Sequence, residues 1–239
     1  MKIIEIPETA STNSWMSEHL DSLDAPVLVY ALSQTAGRGQ RGNHWEAAPG
    51  MNLTASVLIR PKGMEAQRQF EISEAVALAV MDLLESYGID AKIKWPNDIY
   101  CGDLKIAGIL IENSILGRDL RESIIGIGLN VNQTEFLSDA PNPVSMSQIT
   151  GERYDLPELA ASFSRFLEER LYFSGEERHQ SFLESLWRND GSFYPFRDKA
   201  MDETFEAEII DVETTGMLVV RTCNKEERKY AFKEVEFII

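Results

Sequence analysis

Between residues 53 and 59 the chain follows a clear period of two, with Leu53, Ala55, Val57 and Ile59 on one side of an extended segment. Period-2 alternation of this kind predicts a strand. Residues 65–87 change to helical spacing, placing Val76, Ala79, Val80, Leu83, Leu84 and Tyr87 on one stripe, and Gly88 offers a C-terminal stop. Shorter apolar runs predict strands over 2–6, 27–33, 91–95, 105–112 and 122–131. Ser11-Thr12-Asn13-Ser14 offers N-cap groups ahead of a short helix carrying Trp15, Met16 and Leu20. Further helices are expected over 157–172, with Pro157 just inside the start, and over 176–189. After Asn189-Asp190-Gly191 the texture changes to three short strands at 204–213, 216–222 and 228–238, joined by turns at Thr215-Gly216 and Asn224-Lys225. Such a tail predicts a small β-barrel. The organisation is therefore α+β: a main domain over 1–189 and an all-β domain over 190–239.

Composition narrows the function classes. The 239 residues carry 39 acids against 23 bases, a net charge of −16, without a lysine- or arginine-rich run. Duplex nucleic acid repels such a surface, so a small-molecule enzyme with a soluble protein partner fits better. Cys101 and Cys223 form no C-x-x-C, and His19, His44 and His179 have no metal-ligand spacing. The first residues, MKIIEIPETAS, lack the apolar core of a signal peptide, and no stretch reaches the roughly 18 apolar residues of a membrane span. These features predict a cytoplasmic protein that does not engage membranes.

Gly37-Arg38-Gly39-Gln40-Arg41-Gly42 spells G-x-G-x-x-G. A dinucleotide turn needs a helix directly afterwards to hold pyrophosphate. Here Pro49-Gly50 and then a strand follow, so the context excludes it, and no glycine precedes Lys-Ser or Lys-Thr as in a phosphate-binding P-loop. No acid lies between Asp24 and Glu46, which leaves Arg38 and Arg41 among three glycines in a locally cationic window. Glycine permits close backbone approach and arginine grips carboxylate or phosphate, although a mobile loop with solvated arginines reads equally well. Trp45 is a core anchor or a stacking surface. Lys105 enters the apolar run Ile106-Ala107-Gly108-Ile109-Leu110, a costly place for an ammonium unless an anion meets it, although read alone it favours a strand-end lysine that snorkels to water. Asp98 lies across an expected hairpin, where it pairs with Lys105 or holds a metal. Gly126 and Gly128 share one strand face, where something lies flat against the sheet or a bulge forms. Ser11, Thr12 and Asn13, taken alone, favour helix capping.

In order along residues 1–190, these segments resemble the biotin–protein ligases. The resemblance rests on STN at 11–13, QTAGRGQRGNHW at 34–45, NL at 52–53, KWPND at 94–98, KIAGILIE at 105–112 and GIGLN at 126–130. It implies a catalytic domain like that of class II aminoacyl-tRNA synthetases, a mixed sheet with flanking helices, followed by an SH3-like C-terminal domain. The implied reaction joins biotin's carboxylate to the α-phosphate of ATP, giving biotinyl-5′-AMP. A lysine of a biotin carboxyl carrier protein domain then displaces AMP.

Carried onto this sequence, the resemblance implies that Lys105, Arg38 and Asp98 act in catalysis. Ser11, Thr12, Asn13, Gln34, Arg38, Gly39, Gln40 and Lys105 would hold biotin, with Gly108, Gly126 and Gly128 leaving room for its rings. Arg38, Arg41, Trp45, Lys94, Asn97, Lys105 and Asn130 would meet the nucleotide. Mg²⁺ would neutralise phosphates, with Asp98 as an indirect ligand. The 34–45 loop would close over the ligands and exclude water from the mixed anhydride. Many family members carry arginine where Gln40 stands, which predicts weaker retention of the adenylate here. Some carry an N-terminal DNA-binding domain, and this chain begins directly at the catalytic segment, which favours a ligase without a repressor role. A homodimer through sheet edges stays open. The alternatives are a lipoate–protein ligase, which shares the chemistry, and a biotin-responsive binding protein without transfer activity.

Overall fold

Strands predicted as short apolar runs assemble into one mixed sheet. The structure, a computed structural model, describes residues 1–138 and 140–238, and the side chain of Arg41 lies outside that description. In chain order come β1 (Lys2–Thr9), α1 (Thr12–Glu18), β2 (Val27–Gln34), β3 (Leu53–Ile59), α2 (Phe70–Ser86), β4 (Lys92–Lys94), β5 (Asp98–Cys101), β6 (Leu104–Leu116) and β7 (Asp119–Leu129). Their order in the sheet is β1-β2-β3-β7-β6-β5-β4. β1 runs parallel to β2, and the other neighbours are antiparallel. Helices α3 (Met146–Thr150), α4 (Leu156–Tyr172) and α5 (Gly175–Glu184) follow.

Both faces of the sheet are covered. Leu28 and Tyr30 of β2, and Leu53, Ala55, Val57 and Ile59 of β3, join the core beneath α2, α4 and α5. Val27, Val29 and Ala31 point the opposite way and pack with Met16 and Trp15 of α1. A strand buried on both faces loses its alternation, which is why 27–33 reads as a continuous apolar run.

The largest departures from the sequence reading are at three places. Helix α2 begins at Phe70 rather than 65, because Ala66 N donates to Arg118 O and Glu65 bridges Asp119, which ties this segment to the β6–β7 turn. Helix α5 stops at Glu184 rather than continuing to 189. There the chain pairs with β4 at the sheet's edge: Ile93 N donates to Ser185 O, and Trp187 N to Ile93 O. The tail holds five strands instead of three: β8 (Tyr194–Asp198), β9 (Glu203–Val212), β10 (Leu218–Thr222), β11 (Glu227–Tyr230) and β12 (Val235–Phe237). They form an antiparallel sheet ordered β11-β10-β9-β8-β12, and a turn with Lys233 at φ 71° splits the last expected strand. The architecture is the expected α+β arrangement of a mixed sheet with flanking helices and a second antiparallel sheet.

Candidate active site

On the α1 side, β3 and β7 present small residues, and the start of α1 lies directly against them. Ser56 Oγ, fully buried, donates to Asn13 Oδ1 (2.6 Å) and lies 2.8 Å from Thr12 Oγ1. Gln34 Oε1 accepts from Thr12 N (2.7 Å) and from Thr12 Oγ1 (3.2 Å). Ser11 occupies the N-cap position of α1 but makes no side-chain cap bond. The capping reading of 11–13 is therefore corrected: Thr12 and Asn13 point into a buried polar network instead of closing the helix.

A cleft of about 820 Å³ opens over this face. Every residue assigned to catalysis, biotin or nucleotide from the sequence lines it except Arg41, whose side chain lies outside the described residues. The Gly-rich stretch leads through a short turn at 40–42 into β3, without an intervening α-helix. It folds back on itself: Trp45 N donates to Gly37 O (3.0 Å), Gly39 N donates to Asn43 O (2.7 Å), and Arg38 bridges His44. A Cβ at Gly37 would lie 2.4 Å from Trp45 O, so the close pairing requires glycine there. This hairpin lays the Trp45 indole on the sheet. A Cβ at Gly128 would lie 2.3 Å from that ring, and one at Gly126 would lie 2.5 Å from Asn13 Oδ1. The groups that lie flat on the small-residue face here are thus Trp45 and Asn13.

Lys105 sits next to a bulge at Ile106 in the β5–β6 pairing and forms an ion pair with Asp98 at 2.6 Å. Its Nζ is 5.7 Å from the centre of the Trp45 ring. Its backbone bridges the 142–144 segment, with Lys105 N donating to Asn142 O and Val144 N to Lys105 O. Asn130 Nδ2 donates to Val144 O (3.0 Å), and Asn97 Nδ2 donates to Ile109 O (2.7 Å), so both amides brace the walls. Lys94 lies over the rings of Tyr100 (5.0 Å) and Phe237 (5.4 Å). Burial pushes its ammonium pKa below the ordinary value, and the nearby Asp98 only partly offsets this.

Four contributors were not singled out from the sequence. Glu112 accepts both arms of Arg38 (3.0 and 2.7 Å) and Asn13 Nδ2 (2.8 Å). It closes the KIAGILIE run, where an acid reads simply as a strand end. Glu46 accepts from Leu137 N, Ser138 N and Gln133 Nε2, tying the Trp45 loop to the 133–138 segment. Burial alone would raise its pKa, but these donors outweigh it and hold the carboxyl below its usual range. Lys199 and Lys233 enter the cleft from the second sheet. The described lining holds five cations, Arg38, Lys94, Lys105, Lys199 and Lys233, against three acids, Glu46, Asp98 and Glu236. In a chain of net charge −16, that inversion marks a site for anions.

The profile of the biotin/lipoate A/B protein ligase family matches residues 3–130. The bifunctional ligase/repressor BirA of Bacillus subtilis is 30% identical over 225 residues, covering 90% of this chain and 68% of that protein. The biotin–[acetyl-CoA-carboxylase] ligase of Paracoccus denitrificans is 34% identical over 178 residues, covering 67% of this chain and 71% of that protein. Among solved structures, the biotin protein ligase of Aquifex aeolicus in complex with biotin and ATP has a TM-score of 0.80 at 24% identity, covering 98% of this chain and 97% of that one, a likeness of fold. With more than half of its length matched by the profile, this chain belongs to the biotin/lipoate A/B protein ligase family.

Proposed function

We propose that this protein is a biotin–protein ligase. It activates biotin with ATP to biotinyl-5′-AMP and transfers biotin to a lysine of a carboxylase carrier domain. The observation that carries the reading is the Lys105–Asp98 pair at the cationic end of a cleft whose other end is the neutral Ser56–Thr12–Asn13–Gln34 network. A ureido ring is uncharged and needs matched donors and acceptors, which hydroxyls and amides supply. A carboxylate attacking a phosphate joins two anions, and the cations at the other end oppose that repulsion.

In this reading Lys105 stabilises the negative charge gathered on the α-phosphate, and Asp98 holds its ammonium in place. Arg38 leaves Glu112 to meet the ligand carboxylate or phosphate, and Arg41 arrives with the same loop. Lys94 and Asn97 serve the nucleotide, and Trp45 covers it. Asn130 acts by fixing the segment beside Lys105. The main domain, 1–189, supplies the chemistry, and the unit 190–239 closes one wall. Among the described residues no group of three histidine, cysteine, aspartate or glutamate side chains stands ready for a metal. Asp98 is already engaged by Lys105. In this reading Mg²⁺ enters with ATP, and Asp98, beside Lys105, is its indirect ligand.

The test incubates the protein with biotin, Mg-ATP and an apo carrier domain and reads the carrier's mass, with lipoate in parallel. A gain of one biotinyl group is expected. Lys105→Ala should lower formation of biotinyl-AMP by roughly 100-fold or more, the scale on which charge-stabilising donors act. Biotin binding without carrier labelling would overturn the transfer claim, and labelling by lipoate alone would reassign the substrate.

A further inference from the structure

The connection between β7 and α3 contributes Phe136, Ser138 and residues 140–143 to the lining of the cleft. Its later part is bound to β6, where Lys105 N donates to Asn142 O (2.7 Å) and Val144 N to Lys105 O (2.9 Å). Its earlier part has little packing to hold it. Residues 134–138 are exposed except for the half-buried Phe136, and Leu137 is 90% exposed. Gln148 and Gln133 hold the start of this stretch, through Thr134 O and Glu135 O. Leu137 and Ser138 are held by Glu46, the neighbour of Trp45. Glu46 Oε1 accepts from Leu137 N (2.9 Å) and Gln133 Nε2 (2.9 Å), and Oε2 accepts from Ser138 N (2.7 Å) and Leu137 N (3.0 Å). One carboxylate thus joins the Gly-rich hairpin, which carries Trp45, to the stretch that carries Phe136, and both aromatic residues line the cleft. The tie is a strong one, because hydrogen bonds to an ionised acceptor are roughly twice as strong as neutral ones.

We propose that Glu46 is a positioning residue that keeps Trp45 and Phe136 together over the nucleotide end of the cleft, so that biotinyl-AMP stays bound until the carrier lysine reaches it. The inference rests on the ligase reading above. A mixed anhydride is wasted if it leaves the protein or meets water, so its retention decides how much biotin survives from the first step to the second. The Trp45 ring lies 5.7 Å from Lys105 Nζ, and fixing the indole therefore also fixes the surroundings of that ammonium. A free carboxylate in this cation-rich space would repel phosphate; surrounded by donors, the Glu46 charge is directed to the tie instead. The biotin end stands apart. Ser56, Thr12, Asn13 and Gln34 bond among themselves and share no hydrogen bond with Glu46 or with 133–138 among the described residues.

Glu46→Gln keeps the volume of the side chain but breaks the tie. Both carboxylate oxygens face only N–H groups, so either orientation of the new amide sets its own NH2 against a donor. Each protein is loaded with labelled biotin and Mg-ATP, and release of biotinyl-AMP is followed during a chase with unlabelled biotin. Release from the variant should be faster by roughly tenfold or more, the scale of a lost hydrogen bond to a charged group. Amide exchange at Leu137 and Ser138 should quicken in the unliganded variant, while its affinity for biotin alone stays within about twofold of wild type. Phe136→Ala should also speed release, yet add little in the Glu46→Gln background, as expected when two changes break one unit. Equal release from wild type and Glu46→Gln would overturn the proposal. So would additive effects of the two substitutions, or a loss of biotin affinity as large as the loss of adenylate retention. Failure of the wild type to form biotinyl-AMP would remove the ligase reading, and this proposal with it.

Discussion

A single methyl group at residue 128 separates two arrangements of the cleft. Its carbon would lie 2.3 Å from the Trp45 indole, and the obstacle is a ring that can move only by leaving the sheet. Gly128→Ala is therefore expected to expel Trp45, seen as a red shift in its fluorescence when spectra are compared with Trp45→Phe in each background. In the ligase reading, affinity for the adenylate falls with it. An unshifted spectrum would show that the ring is not held by that strand. Gln40 poses a complementary question, because its amide oxygen is enclosed without a partner among the described residues. An arginine there would add a charged donor, and hydrogen bonds to charged groups contribute about 1.5–3 kcal/mol. Gln40→Arg should thus slow release of biotinyl-AMP by roughly tenfold or more. Equal release rates would remove position 40 as a determinant of retention.

At the scale of elements, the KWPND segment joins the two sheets as well as lining the cleft. Trp95 is buried and donates from Nε1 to Gly216 O at 3.0 Å, in the turn between β9 and β10. Trp95→Phe keeps most of the ring but leaves that carbonyl unpaired, at a cost of about 1 kcal/mol. For a chain of this size that lowers Tm by about 2–4 °C, which a thermal melt reads directly. This double duty was illegible in the sequence, because nothing local to Lys94–Asp98 identifies a partner 121 residues away. The alternation at 53–59 was legible because one face of β3 meets a continuous apolar core. Helix α5 was overextended for the opposite reason. Leu186 and Trp187 fit helical spacing, yet they serve as a partner for the edge strand β4, a demand only tertiary structure creates. β5 escaped separate notice because four residues between Pro96 and Gly102 carry too little pattern. The site shows the same division. Lys105 and Asp98 stood out as charges beside an apolar run, whereas Ser56 and Glu112 gained meaning only once α1 and the Gly-rich hairpin lay over the sheet.

Across the whole molecule, one side chain ties the main sheet's helices to the second sheet in a way that depends on protonation. His179 of α5 meets Glu74 of α2 through Nδ1 (2.7 Å) and Asp211 of β9 through Nε2 (3.1 Å). Arg178 lies alongside, ion-paired with Glu71 and near Glu74. Burial works against the imidazolium, but the two carboxylates outweigh it and raise the His179 pKa above its ordinary 6.5. Burial also pushes the Glu74 carboxyl up, so Glu74 and His179, in direct contact, titrate as a pair. The folded state then binds this proton more tightly than the unfolded chain does. The stabilisation is fully present below pH 6.5 and is lost as pH rises through the raised folded value. Because Lys199 and Lys233 reach the cleft from the second sheet, loosening this junction also loosens one wall of the cleft. Thermal melts of wild type and His179→Asn from pH 6 to 9 test the argument. Wild type should lose Tm as the pH rises above 6.5, and the variant, with no imidazolium to lose, should be less stable at pH 6 and nearly flat across the range. Parallel slopes in the two proteins would mean that the junction is held by packing and by Trp95 rather than by charge on His179.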